Sequence, residues 1–510
     1  MSEGTNDRAP GRAGPAPGRL QRLLGPIERL GNRLPDPAVL FVLMLLAVWC
    51  LSFALAGTDF GLDDPRSHAR LKIVSLLSSD ELRRFLTELP AIFTSFPPLG
   101  VVLVAVMGVG VAEHSGLVDA VLRGLLAFTP RSLLTPVVIL VSLISHVAAD
   151  AGFVVVVPLA GVLFRAAGRH PLAGIAAAFA GVSCAFSASF LPAPLDPLLQ
   201  GFTQSAAQLV DPGRQVGPLC NWIFFSVSSV LLTGIGWWLT DRFIEPSLQR
   251  LAVDGEPLES SDEAGIGAAA RRGLGWAALA GGALIAGVAL LSLPAGAPFH
   301  TRPGESSPLL RGVVPLIFLG ALVPGLAFGY ASGRFRSHKD VIAGMAKPIS
   351  TMGYYVVLAF FSALFIDAFT RSNLGVLLAL EGARVLQAAG LPHWLTLVSL
   401  VLATSALDMV VVSASAKWAL LSPVVVPMLM AVGLGPELSQ AAYRVGDSVT
   451  NVLTPLNAYL PLIIVFCQRH VRSSGLGTIL SLMVPYAATF LVAWIALLLV
   501  FFELGIPLGV

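Results

Sequence analysis

Arg444 and Asp447 stand one helical turn apart in "AAYRVGDSVTNVLTPLNAYLP" (441–461), a stretch set in an otherwise apolar part of the chain. At that spacing the two can simply neutralise each other. Charge inside a membrane is costly, however, and usually faces an interior cavity. Arg444 would then meet an anionic ligand, and Asp447 a cation or proton. A second constellation lies in "SASAKWALLSP" (413–423), with Ser413, Ser415, Lys417 and Trp418. Lys417 is hard to place against lipid. Trp418 either offers a flat face to an aromatic ring or fills the protein interior. Asp408, five residues before Ser413, would cap a helix or carry a transferable proton.

The N-terminal half holds a similar set. "SHVAADAGF" (145–153) contains Asp150, with the same ambiguity as Asp408, and His146, which has no second ligand at metal-binding spacing and reads as a hydrogen-bonded structural residue. In "SCAFSASFLPAPLDP" (183–197) Asp196 follows a Pro-Ala-Pro-Leu break, and is either a cap at a helix start or a proton or cation site facing a cavity. Small hydroxylated residues with Gly or Pro let a helix open there, at Ser189, and again in "GDSVTNVLTP" (446–455), at Asn451. An opened helix offers carbonyl and hydroxyl oxygens to a hard cation, and half-helix N-termini to an anion.

The elements that position these groups must be membrane helices. Hydrophobic residues make up 55% of the chain and charged residues 12%, and the mean hydropathy is +0.80. Apolar windows of about 20 residues, enough to cross roughly 30 Å of hydrocarbon, recur from Pro37 onward. Nine crossings are expected, at 36–57, 98–115, 171–205, 219–240, 273–293, 309–331, 348–366, 436–466 and 477–503. The stretches 132–167 and 391–432 are too long for one span and have small polar midpoints, so each reads as a re-entrant helical hairpin. Positive charge places the N-terminus in the cytoplasm, with 1–35 a tail that includes an amphipathic helix over 20–34, and 241–272 a cytoplasmic loop. Segment 58–97 should lie outside despite its arginines, and its interleaved acids suggest that it is folded.

Displaced by 265 residues, "PLAGVLFRAAGRHPLAGIAAAFAGVS" (158–183) lies over "PVVVPMLMAVGLGPELSQAAYRVGDS" (423–448). Pro158 meets Pro423, Gly168 meets Gly433, Pro171 meets Pro436, Gly181 meets Gly446 and Ser183 meets Ser448. Prolines and glycines each meet a particular backbone need, so these matches weigh more than the alanines. Five crossings lie between the copies, and an odd number inverts one relative to the other, the layout of many secondary transporters. The organisation expected is a tail (1–35), first helices and an external segment (36–131), a first hairpin and broken helix (132–205), intervening helices (206–390), a second hairpin and broken helix (391–466), and a C-terminal helix (467–510).

Four cysteines without CxxC spacing give neither a disulfide framework nor a zinc site. A net charge of +2 says nothing of nucleic acid. A membrane-embedded enzyme is disfavoured by the absence of HExxH, and "GVGV" (108–111) lacks a catalytic partner; no P-loop is present for an ATP-driven pump. A channel would also suit two inverted copies, but buried charge that must open to each side in turn fits a carrier better.

"SFPPLGVVLVAVMGVGVAEHSGL", "GRHPLAGIAAAFAGV", "LDPLL", "SASAKWALLSPVVVPM" and "AAYRVGDSVTN" together resemble the p-aminobenzoyl-glutamate transporter (AbgT) family, from about residue 20 to the C-terminus. The resemblance implies homodimeric proteins of the bacterial inner membrane, with nine transmembrane helices and two re-entrant hairpins. It further implies carriage of p-aminobenzoyl-glutamate or export of sulfonamide antimetabolites, an activity that confers antimetabolite resistance. Its motifs point to Asp196, Pro436, Arg444 and Asp447, with Ser413, Ser415, Lys417 and Trp418 at the second hairpin. Asp408 departs from an expected asparagine and Ser189 from the last residue of an expected "SAN". The reading is therefore a secondary carrier of a small aromatic acid, driven by protons or sodium and needing no cofactor beyond a sodium ion in the latter case. Arg444, Trp418, Lys417, Ser413, Ser415, Pro436 and Ser189 would serve the substrate, and Asp196, Asp447, Asp408 and Asn451 the coupling ion. An ion-coupled carrier of another small carboxylate, such as a dicarboxylate, is the alternative.

Overall fold

In the computed structural model, residues 35–510 are described apart from 65, 67, 68, 128, 148–151, 250, 256–266 and 302–306. The expected tail helix over 20–34 and Asp150 lie outside the described residues. Among the described residues the chain is helical, its one β-bridge joining Asp63 to Arg70.

The helices in chain order are α1 (Pro37–Leu55), α2 (Ser79–Thr94), α3 (Pro97–His114), α4 (Leu117–Ala127), α5 (Leu134–Ile144), α6 (Val157–Ala166), α7 (Pro171–Phe179), α8 (Leu195–Ala207), α9 (Trp222–Leu239), α10 (Ala268–Leu290), α11 (Val313–Ala331), α12 (His338–Thr351), α13 (Gly353–Arg371), α14 (Leu374–Ala388), α15 (His393–Asp408), α16 (Ala414–Ala431), α17 (Pro436–Val449), α18 (Leu460–His470) and α19 (Leu476–Glu503). Eight helical segments among the described residues are long and apolar enough to cross a membrane, or up to 10 if two sharply bent helix pairs each form one span. Seven of the nine expected crossings fall on such segments. The other two, 171–205 and 436–466, are each two short helices: α7 and its π-helical extension to Cys184 give way to α8, and α17 to α18. The breaks fall where the small polar residues and prolines predict them.

Two boundaries differ from expectation. α9 continues through a π turn to Leu248, and α10 starts at Ala268, so the loop read as 241–272 is shorter at both ends. Asp241 and Glu245 look like loop residues, but Arg169 binds both, at 2.5 Å each, and holds that turn in helical form. Segment 58–97 is folded: Arg84 reaches Asp367 of α13 at 2.6 Å, and Arg66 bridges Asp64 and Asn373. The Arg66 guanidinium beside Asp64 holds that carboxyl below its ordinary range.

The repeat has a backbone counterpart. α6 and α16 both end in a left-handed glycine, Gly168 (φ 76°) and Gly433 (φ 89°). After it, Arg169 N donates to Phe164 O at 2.8 Å, and Leu434 N to Leu429 O at 2.9 Å, the same C-terminal cap 265 residues apart. Pro171 and Pro436 then occupy the first turn of α7 and α17, where the missing N–H costs nothing. Gly181 and Gly446 let each of these helices touch the preceding arm. A Cβ at Gly181 would meet Ser142 Cβ at 2.6 Å and Ile139 O at 3.1 Å, and one at Gly446 would meet Thr404 Cβ at 2.8 Å and Val401 O at 2.4 Å. The arms α5 and α15 are thus matched at 262 residues, three fewer than the helices they hold.

Candidate functional site

The two units meet at their breaks. Cys184, the last residue of the α7 extension, donates its thiol to Val449 O at 3.3 Å, and these are equivalent positions. Ser448 Oγ accepts from Ser187 N at 3.2 Å, while its counterpart Ser183 accepts from Asn457 Nδ2 at 3.2 Å. Each broken segment is stitched to the other unit, and the charged groups lie beside this seam.

Arg444 and Asp447 do not neutralise each other. Arg444 Nη1 binds Asp196 Oδ1 at 2.7 Å, its Nε donates to Ser187 Oγ at 3.3 Å, and its guanidinium lies 4.1 Å over the Phe225 ring. Asp196 lies in the first turn of α8 rather than at its cap, and its Oδ2 reaches back to accept from Ala193 N at 2.7 Å. The ion pair therefore joins the two units. Asp447 Oδ1 pairs instead with Lys417 Nζ at 2.6 Å, and the same ammonium binds Asp408 Oδ1. Thr450 Oγ1 donates to Asp408 Oδ2 at 2.8 Å, and Tyr443 Oη lies 3.1 Å from Asp447 Oδ1 and 2.5 Å from Ala414 O. Asp408, Lys417 and Asp447 are all buried. The five charged groups sum to −1, so this seam holds one negative charge more than its own cations balance.

Arg444 and Asp196 line a small, partly enclosed cavity of about 30 Å³ with His146, Phe186, Ser187 and Ser189. Ser189 Oγ is engaged with Leu191, donating to its carbonyl at 3.0 Å and accepting from its N–H at 3.1 Å. His146 bonds to the Gly181 backbone, as a structural histidine would, yet it also faces this cavity. Trp418 does not. It is fully buried, stacks on Tyr443 at 4.4 Å and donates to Thr203 Oγ1 at 2.8 Å, so in this conformation no free face is left for a ligand ring. Ser413 caps α16, accepting from Ala416 N at 3.4 Å, with Ser415 Oγ 3.5 Å away. Pro436 is buried at the start of α17, and Asn451, also buried, has its carbonyl bonded by Asn457.

Sequence reading passed over Tyr443, Thr450, Ser187 and Phe225. The first two adjoin residues that it did single out, and Ser187 lies inside a quoted motif. Phe225 carried no signal, because it sits on a helix outside both units.

An all-helical membrane chain with paired broken helices and buried charge at their seam has the build of a membrane transporter. The chain belongs to the AbgT transporter family, whose model matches residues 22–510. It is 34% identical over 499 residues to the p-aminobenzoyl-glutamate transport protein of Escherichia coli (strain K12), covering 97% of each chain. The YdaH transporter of Alcanivorax borkumensis, a structure of unusual topology, superposes with a TM-score of 0.89 at 40% identity, over 93% of this chain and 100% of that one. MtrF of Neisseria gonorrhoeae, described as illuminating a class of antimetabolite efflux pumps, superposes with a TM-score of 0.86 at 39% identity, over 94% and 97%.

Proposed function

We propose that this protein is a secondary active transporter of p-aminobenzoyl-glutamate, sulfonamide antimetabolites or both, driven by a proton or sodium gradient. The observation that carries this reading is the Arg444–Asp196 ion pair, which spans the two units beside a small, partly enclosed cavity. An anionic cargo would displace Asp196 from Arg444. The freed carboxylate would then take up a cation, so that cargo and ion enter as a set. The negative charge left over in the Asp408–Lys417–Asp447 cluster supplies a second place for that cation. The relatives named for p-aminobenzoyl-glutamate and for antimetabolite efflux support the cargo class.

In the same reading the two units are inverted copies, 132–167 and 391–432 are re-entrant hairpins, and the protein is a homodimer of the inner membrane with its N-terminus in the cytoplasm. Alternating access follows from motion of the seam between the units. Flux of labelled p-aminobenzoyl-glutamate and a labelled sulfonamide into proteoliposomes tests this, with proton and sodium gradients imposed separately. Saturable flux driven by one gradient and abolished by Asp196→Ala supports it. Absence of saturable flux for both compounds under both gradients overturns the cargo assignment.

A further inference from the structure

The arm that brings His146 to the cavity also orients its ring. The ring meets Phe186 edge-on, with centroids 4.9 Å apart at 81°. One ring nitrogen bonds to the Gly181 backbone. The other, Nε2, is buried and finds no hydrogen-bond partner among the described residues. Nδ1 is therefore the nitrogen bonded to Gly181, and with its proton given to that carbonyl, a neutral imidazole keeps a bare lone pair on Nε2. A buried acceptor without a partner is expensive, which makes it selective for whatever donor completes it. His146 lines the same small cavity as Arg444, Asp196, Ser187 and Ser189.

We propose that His146 Nε2 is a specificity-determining acceptor that selects cargo carrying an N–H beside its anionic group. This rests on the reading of the Arg444 cavity as the cargo site. His146 and Arg444 line the same small cavity, so the donor must sit within a few bonds of the group that Arg444 holds. An N-acylated amino acid has this arrangement, its amide N–H adjoining the carbon that bears the carboxylate. An N-substituted sulfonamide offers a neutral version of it, its N–H adjoining sulfonyl oxygens that carry partial negative charge for Arg444, and it keeps that donor only while it is not ionised. An acid lacking the N–H would still meet Arg444 but would leave Nε2 without a donor, and would bind more weakly.

The test is binding to the full-length protein in nanodiscs, by calorimetry, of p-aminobenzoyl-glutamate and of its ester analogue, in which oxygen replaces the amide nitrogen. Wild type should favour the amide by about tenfold or more. His146→Asn can still donate to Gly181 O but has no acceptor at the Nε2 position, and should bind both compounds alike. His146→Gln places an acceptor near that position and should restore part of the preference. A wild type without preference, or a His146→Asn variant with the wild-type ratio, overturns the proposal and leaves Nε2 to solvent alone. Failure of both compounds to bind wild type removes the p-aminobenzoyl-glutamate assignment. The role of His146 is then read from N-acyl amino acids against their O-acyl hydroxy-acid counterparts, and binding of no member of either series overturns it too.

Discussion

The two units share a helix cap, a proline helix start and a close helix contact, and they differ in chemistry. Counted by the 265-residue displacement, Arg444 stands where the first unit has Phe179, Asp447 where it has Val182, and Lys417 where it has Gly152. Trp418 stands where the first unit has Phe153, and each ring stacks on a tyrosine, Trp418 on Tyr443 at 4.4 Å and Phe153 on Tyr459 at 4.1 Å. On the arms, matched at 262 residues, Asp408 stands where the first unit has His146. The glycines and prolines that shape both units are retained, because they answer backbone needs common to both. The side chains that turn toward the seam have diverged, and the second unit carries nearly all of the charge. The first contributes Asp196 and an imidazole with a free acceptor. A repeat therefore sets the frame for the site, while the difference between its copies sets the site's chemistry.

The largest effect expected from breaking this asymmetry is at Lys417. Lys417→Ala would leave Asp408 and Asp447 buried together without their shared ammonium, at a cost of about 3–5 kcal/mol. Thermal unfolding in detergent should show a large drop, and Asp408→Asn with Asp447→Asn in the same chain should recover most of it. No recovery in the triple variant would mean that the cluster is held by packing rather than charge. Next is Gly446→Ala against Gly181→Ala. Both overpack a helix contact, at about 1–3 kcal/mol, with the larger loss at Gly446, whose Cβ would press on a backbone oxygen at 2.4 Å. Equal losses would show that both arms yield alike.

Gly168→Ala and Gly433→Ala should each cost about 1 kcal/mol, and by equal amounts, since both have positive φ and open space around a new Cβ. A clear inequality would break the equivalence of the two turns. The smallest effect is in pH. Burial lowers the pKa of His170 from its ordinary 6.5, and the residue caps α7 through Nδ1, which accepts from Leu172 N at 3.3 Å. The unfolded chain binds this proton more readily, so the contribution is present above pH 6.5 and is lost as pH falls toward the folded value. His170→Asn can cap without titrating, and melting curves of this variant should depend less on pH between about 7 and 5. Gly435, the counterpart in the second unit, has no such group, so a pH response unchanged in His170→Asn would place its source outside the turns.

Much of the frame was legible in the chain itself. Apolar length marked the helices, the doubled Gly and Pro pattern marked the two units, and small polar residues with proline marked both breaks, because each of these is a local requirement of backbone or solvent. Asp196, Arg444, Asp447, Asp408 and Lys417 could be singled out by charge alone, since ionised groups amid apolar sequence need a reason to be there. Their partners could not. Spacing pairs Arg444 with Asp447, three residues apart, yet the folded chain gives Arg444 to Asp196, 248 residues away, and Asp447 to Lys417. Trp418 likewise turned inward to Tyr443, and His146 turned one nitrogen to Gly181 and the other to the cavity. Which charge meets which depends on how two broken helices cross, and that is settled by packing between elements far apart in the chain.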